Sequence, residues 1–215
     1  MNKHVRNLLS VILVVVMSVS SLINTYANPY NLLQSYPDRG TVYTDQIDFE
    51  RFGFEPLNSA SLLPFGWPMP TNIPLRNTIS LEPWRTNINA GVTNWNNSGA
   101  GVRFVVGATG NNHIFFVHYD TQQRFGWVDV VVSGNRILMF DININADQIQ
   151  NSWFTADVAR VTQSTMAHEL GHVIWLADNP PTSQPTIMSH SRNRNQVFTP
   201  QWVDIESVRR AYSFN

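Results

Sequence analysis

The spacing of apolar residues predicts a helix over Leu81 to Asn96. Trp84, Ile88, Val92 and Trp95 recur at intervals of four, four and three, which puts them on one helical face. Asn96-Asn97-Ser98-Gly99 ends it. Four strand-like runs follow: Val102 to Val106, His113 to Tyr119, Trp127 to Val132 and Arg136 to Asn145. Each is rich in β-branched or aromatic residues and bounded by glycine, asparagine or aspartate. Ser133-Gly134-Asn135 reads as the hairpin turn between the last two. A second long helix spans about Thr155 to Leu176, where Val158, Val161, Thr165, His168 and His172 keep helical spacing. Asn179-Pro180-Pro181 stops it, because a residue before proline is pushed out of the helical region. A third helix begins at Thr199-Pro200, a cap followed by proline in the first turn, with Ile205, Val208 and Tyr212 as its buried face. The order of helix, strands, helix, loop and helix implies an α/β chain of the α+β kind, a sheet with helices packed on it.

The N-terminus has a different pattern. Lys3, His4 and Arg6 precede an apolar run from Leu8 to Val19, and Thr25-Tyr26-Ala27 supplies small residues at the positions a signal peptidase reads. The run is shorter than the roughly 20 residues that span a bilayer. Residues 1–27 are therefore expected to be a secretory signal peptide, with an uncleaved anchor as the alternative. The mature protein is expected to be secreted and extracellular, without stable membrane association. Residues 28–70, which include PLNSASLLPFGWPMP, read as a pro-segment or N-terminal arm. Residues 71–215 read as one unit with neither repeat nor linker.

Composition narrows the classes. Hydrophobic residues at 43% against 13% charged are enough for a real core, and a formal net charge of −1 gives no basic stripe for nucleic acid. There is no cysteine, so an exported chain must draw its stability from core packing or bound metal.

The chemistry lies in His168-Glu169-Leu170-Gly171-His172. Positions i and i+4 of a helix share a face, so two imidazoles can reach one divalent ion at about 2.0–2.1 Å. Glu169 sits beside that ion without ligating it, placed to handle an activated water. Zinc lowers the pKa of a bound water to about 7, so Glu169 could take the proton and pass it to a leaving amine. The expected cofactor is one catalytic Zn2+, with further structural ions left open.

The wider segment HELGHVIWLAD resembles the metzincin pattern H-E-x-x-H-x-x-G-x-x-H/D. Thr186-Ile187-Met188-Ser189 resembles the Met-turn of that clan, and DIESVRRAY is similar to the helix that follows it in matrixin-like bacterial enzymes. The resemblance covers roughly residues 70–215. It implies a secreted zinc endopeptidase with a twisted mixed sheet, three main helices and the active-site helix under a cleft. An antiparallel edge strand would pair with an extended polypeptide substrate, and Arg136 to Asn145 is the candidate. It makes Asp178 the third ligand beside His168 and His172, Glu169 the general base, and Met188 an apolar base beneath them. His190, two residues after Met188, stands where several metzincins carry a tyrosine. It could be a further ligand, a donor to the oxyanion, or an ordinary loop residue. The chain is expected to act as a monomer.

One position departs from the pattern. Trp175 stands where the family has the glycine of a sharp turn, and a left-handed tryptophan costs on the order of 1–2 kcal/mol. A helix continuing through it would carry Asp178 about 9 Å along the axis from His172, too far for a short carboxylate. Either the helix breaks near Trp175, which the Asn-Pro-Pro stop favours, or Asp178 is not a ligand. Glu206 is the alternative third ligand.

Other signals are weaker. Asp141, Asn143, Asn145 and Asp147 alternate like a calcium loop, but Ala146 and Ser152 stand where that loop needs glycine and glutamate. They read as a polar strand face followed by a turn. His113, His118 and Asp120 could form a second metal site, and Glu55, Asp45 or Asp48 could block the zinc from the pro-segment. Two competing functions remain: a non-catalytic exported binding module on the same fold, and hydrolysis of a non-peptide amide.

Overall fold

The computed structural model describes the backbone of residues 33–39 and, in full, residues 66–118, 124–152, 155–179 and 184–212. The signal peptide reading, Asp45, Asp48, Glu55 and Asp120 lie outside the described residues. Six strands form one mixed sheet: β1 (Leu33–Arg39), β2 (Ile73–Asn77), β3 (Phe104–Val106), β4 (His113–Val117), β5 (Arg124–Ser133) and β6 (Arg136–Asn145), in the order β1-β5-β6-β4-β2-β3. β6, β4, β2 and β3 run parallel, whereas β5 is antiparallel to both β6 and β1. Four helices accompany the sheet: α1 (Trp84–Asn96), the short α2 (Ala146–Asn151), α3 (Val158–Val173) and α4 (Trp202–Ala211).

The expected elements are present, with shifted ends. α1 starts at Trp84 rather than Leu81 because Glu82 precedes Pro83 and is kept out of the helix. α4 starts at Trp202, capped by Gln201 and not by Thr199; Gln201 and Asp204 form a reciprocal capping box. Ser133 pairs with Arg136 across Gly134-Asn135, and Gly134 takes the positive φ of 61° that this tight hairpin needs. Two strands were not read from the pattern. β2 contains Pro74, which pairs with Val105 of β3, while β4 pairs only further along at Arg76 and Asn77, so the missing N–H falls beside one neighbour alone. β1 lies inside the stretch read as a pro-segment or N-terminal arm.

The position of β6 needs a correction. The segment Arg136 to Asn145 is not the edge strand; it lies in the interior between β5 and β4. β5 in turn is covered on its outer side by β1, which forms that edge of the sheet.

One face of the sheet carries the core. Ile114, Val128, Val130, Ile142 and Ile144 are fully buried with Ile88 and Trp95 of α1 and Met166 and Leu170 of α3. Burying each such side chain contributes roughly 1.5–3 kcal/mol. The Trp95 indole N–H donates to Ala167 O at 2.6 Å, joining α1 to α3 without an unsatisfied donor. The other face is polar, with Asp129, Asp141 and His113 side by side across β5, β6 and β4.

Candidate metal centre

α3 brings the first two imidazoles together. Asp157 caps it by accepting from Arg160 N, a contact worth about 1 kcal/mol. His168 and His172 lie one turn apart with ring centroids 4.8 Å from each other, and both are fully buried, as is Glu169. Gly171 sits between them because nothing larger fits: a Cβ there would lie 2.3 Å from Met188 Sδ. Met188 is buried directly against this turn of α3.

The helix breaks at Trp175. α3 ends at Val173, and Trp175 adopts φ 80°, the left-handed position of a Schellman-type end closed by the bond from Leu176 N to Gly171 O at 3.0 Å. Tryptophan is held there by its surroundings. Its ring lies against Gly66, its Nε1–H donates to Trp67 O at 3.3 Å, and Tyr212 meets it edge-on. Tyr212 donates its hydroxyl to the same Trp67 carbonyl at 2.7 Å, and Trp67 N donates to Val173 O. Burial pushes the Tyr212 phenol well above its ordinary range.

The break returns Asp178 to the imidazoles. His168 Nε2 lies 3.2 Å and His172 Nε2 3.5 Å from Asp178 Oδ1, and His190 Nε2 lies 3.0 Å from Asp178 Oδ2. One ligand atom from each of His168, His172 and Asp178 falls within 4.8 Å of the others, a group that could hold a metal ion. Ligands at about 2.0–2.1 Å from one tetrahedral ion stand about 3.3–3.4 Å apart, so the two imidazole–carboxylate distances fit ligands of a single metal ion. Burial alone would raise the pKa of Asp178. His172, with the contacts from His168 and His190, outweighs it and holds the carboxyl far below the usual range.

The far side of each ring is fixed. His172 Nδ1 is 2.9 Å from Leu176 O, and His168 Nδ1 is 2.9 Å from Ile187 O. Carbonyls only accept, so both Nδ1 atoms are assigned the proton, and Nε2 presents its lone pair to the shared centre. His168 Nδ1 also lies 3.1 Å from Arg192 Nη1. That nitrogen donates to Ser189 O at 2.9 Å, and the shorter carbonyl contact decides the tautomer. Arg192 is buried and further tied to Ser164 Oγ and O. No periodicity or motif pointed to it; a buried arginine in a loop is visible only once the loop is folded.

The turn from Thr186 to His190 is anchored from α4. Asp204 accepts from Thr186 Oγ1, from Ile187 N at 2.9 Å and from Gln201 N at 2.8 Å. Burial raises its pKa despite these bonds and the nearby Arg192. Asn179 N donates to Met188 O, so the segment that carries Asp178 runs beside this turn.

Three other sequence candidates fall elsewhere. Glu206 pairs with Arg209 at 2.6 Å on α4 and is not in the cluster. His113 pairs with Asp141 at 3.1 Å on the polar face of the sheet, His118, just beyond β4, pairs with Asp147 of α2 at 2.8 Å, and no second metal group occurs among the described residues. Asn145 caps α2 by accepting from Gln148 N, so the polar run continues into a short helix rather than a turn.

His190 also lines a cavity of about 280 Å3, with Phe125, Val161, Arg192 and Arg194 among others, whereas His168, Glu169, His172 and Asp178 do not line it. The Arg194 guanidinium lies 4.4 Å over the Phe125 ring. Above Glu169 runs β5. A Cβ at Gly126 would meet Thr165 Cγ2 at 2.7 Å and Glu169 Oε1 at 3.3 Å, so the backbone of β5 lies close over the carboxylate.

The fold is shared with a solved structure. A chain titled "GM1 bound form of the ECX AB5 holotoxin" superposes with a TM-score of 0.50 at 12% identity, covering 72% of this chain and 86% of that one. "Crystal structure of myroilysin" gives a TM-score of 0.43 at 11% identity, covering 68% and 85%. No protein-family model and no curated protein sequence matches this chain.

Proposed function

We propose that this chain is a secreted zinc-dependent endopeptidase of the metzincin kind. The observation that carries the reading is the convergence of His168 Nε2 and His172 Nε2 on Asp178 Oδ1, at 3.2 and 3.5 Å, with Glu169 next to His168 on the same helix. A divalent ion held by these three residues would supply Lewis acidity and bring the pKa of a bound water to about 7. Glu169 takes a proton from the attacking water as its oxygen bonds to the scissile carbonyl carbon. It then delivers that proton to the amine as the C–N bond breaks. His190, on the second oxygen of Asp178, orients that carboxylate. Ile187 O and Leu176 O hold the two imidazole rings in their ligating tautomer. Residues 1–27 supply the export signal.

The test is hydrolysis of a generic unfolded protein by the purified chain, with zinc content measured in parallel. Glu169→Gln is expected to lower kcat by about 10²–10⁴-fold with zinc still bound. A chelator should abolish turnover, and added zinc should restore it. Chelator-insensitive cleavage rejects the metal chemistry. Absence of both metal and cleavage leaves a binding module on this fold.

A further inference from the structure

We propose that Gly66-Trp67 is a strap that positions the metal ligands. It seats the Trp175 ring, and the ring holds the turn that carries Leu176 and Asp178. The affinity of the centre for a divalent ion is thereby coupled to a segment 108 residues away in the chain. The coupling rests on His168, His172 and Asp178 being metal ligands. The hold of the strap on the turn rests on contacts alone.

Two residues join three parts of the fold. Gly66 N donates to Asn135 O at 3.2 Å and Gly66 O accepts from Ile137 N at 2.9 Å, which ties the strap to the start of β6. Trp67 N donates at 2.8 Å to the carbonyl of Val173, the last residue of α3. Trp67 O accepts both from Trp175 Nε1 and from the hydroxyl of Tyr212, the residue that closes α4. The Trp67 ring stands edge-on to Phe140 with centroids 5.6 Å apart. The fit to Trp175 is tight. A Cβ at Gly66 would lie 2.5 Å from three atoms of the Trp175 ring. Gly66 is not among the glycines with positive φ, so its backbone admits alanine and the ring is what excludes it.

The turn needs this hold. Trp175 sits at φ 80°, a conformation that an L side chain adopts under strain and keeps only where its surroundings fix it. Glycine at this position would need no such support. Two groups of the turn act on the centre. Leu176 O lies 2.9 Å from His172 Nδ1 and orients that ring, and Asp178 Oδ1 lies 3.2 and 3.5 Å from the two Nε2 atoms. Leu176 N closes the helix end on Gly171 O at 3.0 Å. A turn released from the strap loses the carbonyl behind His172 and the placement of Asp178 together. Both strap residues fall in the stretch 28–70 that reads as a pro-segment or arm, so a cut removing that stretch whole would take the strap with it.

The test is a double-mutant cycle in the full chain: Gly66→Ala, Trp175→Gly and the two combined. Zinc alone is the probe, titrated in competition with a chromogenic chelator, and amide hydrogen exchange at Leu176 is read in the metal-free proteins. Gly66→Ala pushes the ring out and is expected to weaken zinc binding about tenfold or more, as loss of an outer-shell partner does, with faster exchange at Leu176. Added to Trp175→Gly, the same alanine meets no ring and should change zinc affinity by less than about twofold. A strap that serves only global stability predicts the same loss on both backgrounds. In a wild type that binds zinc, unchanged affinity or unchanged Leu176 exchange in Gly66→Ala overturns the proposal, and so does an equal loss on the two backgrounds. Should Gly66→Ala not fold, Tyr212→Phe removes one bond to Trp67 O. It is expected to speed Leu176 exchange and weaken zinc binding by about fivefold each, the size of one hydrogen bond, and no change in either overturns the proposal. If the wild type takes up no zinc while Gly66→Ala still speeds Leu176 exchange, the strap holds the turn and the metal reading alone fails.

Discussion

Two aspartates flank the turn from Thr186 to His190, the half-buried Asp178 and the fully buried Asp204, and their environments push them in opposite directions. Asp178 faces three imidazoles and is held ionised. Asp204 faces a hydroxyl and two backbone N–H groups, and burial raises its pKa. Desolvation acts on both; three imidazoles outweigh it at Asp178, whereas at Asp204 the hydrogen bonds and the Arg192 charge, the smallest of these influences, do not. The first arrangement presents donors to a cation. The second joins two segments of chain. Burial of a carboxylate therefore does not by itself mark a ligand. Convergence of lone pairs, with the far side of each ring already engaged, does.

The comparison can be broken at either aspartate. Asp178→Ala should lower zinc affinity at least on the order of 100-fold, because loss of an outer-shell partner alone costs 10–100-fold. Competition against a chromogenic chelator measures this, and unchanged affinity would remove Asp178 from the ligand set. Asp204→Ala should leave zinc affinity within a few-fold and instead destabilise the fold by about 2–3 kcal/mol, since three donors lose their acceptor. The pH dependence has a definite sign. A carboxyl whose folded pKa is raised stabilises most below its unfolded value of about 3.9, and that contribution fades as pH rises through the folded pKa. The stability gap between wild type and Asp204→Ala should therefore be wider at pH 4 than at pH 7 in urea titrations. A gap that widens with pH would contradict the burial argument. The smallest effect is expected at Trp175→Gly. Glycine relieves about 1–2 kcal/mol of left-handed strain but loses the ring contacts with Gly66 and Tyr212 and the bond to Trp67 O. A net loss of about 1 kcal/mol is expected, read as a small fall in Tm; a rise would show that the packing does not offset the strain.

The sheet's polar face sharpens the same lesson. His113–Asp141 at 3.1 Å on that face, and His118–Asp147 at 2.8 Å beyond the end of β4, are spaced like the pairs of the centre, yet each stands by itself as an imidazole and a carboxylate. Proximity in the sequence made His113, His118 and Asp120 candidates for a shared ion. β6 gives His113 one carboxylate partner, and α2 gives His118 another.

Local pattern alone determined a good deal about this protein. The helical repeat around His168, Glu169 and His172, the strand runs and the two-residue hairpin follow from chemistry within a few residues of each position. Tertiary structure decided the rest. Trp175 can close a helix end because Gly66, Trp67 and Tyr212, distant in the chain, hold its ring. Asp178 reaches the imidazoles only because that break occurs. β6 is interior and β5 lies beneath β1 because strand order is set by pairings between distant segments. Short-range periodicity records which face of an element is buried, but it carries no information about which other element buries it.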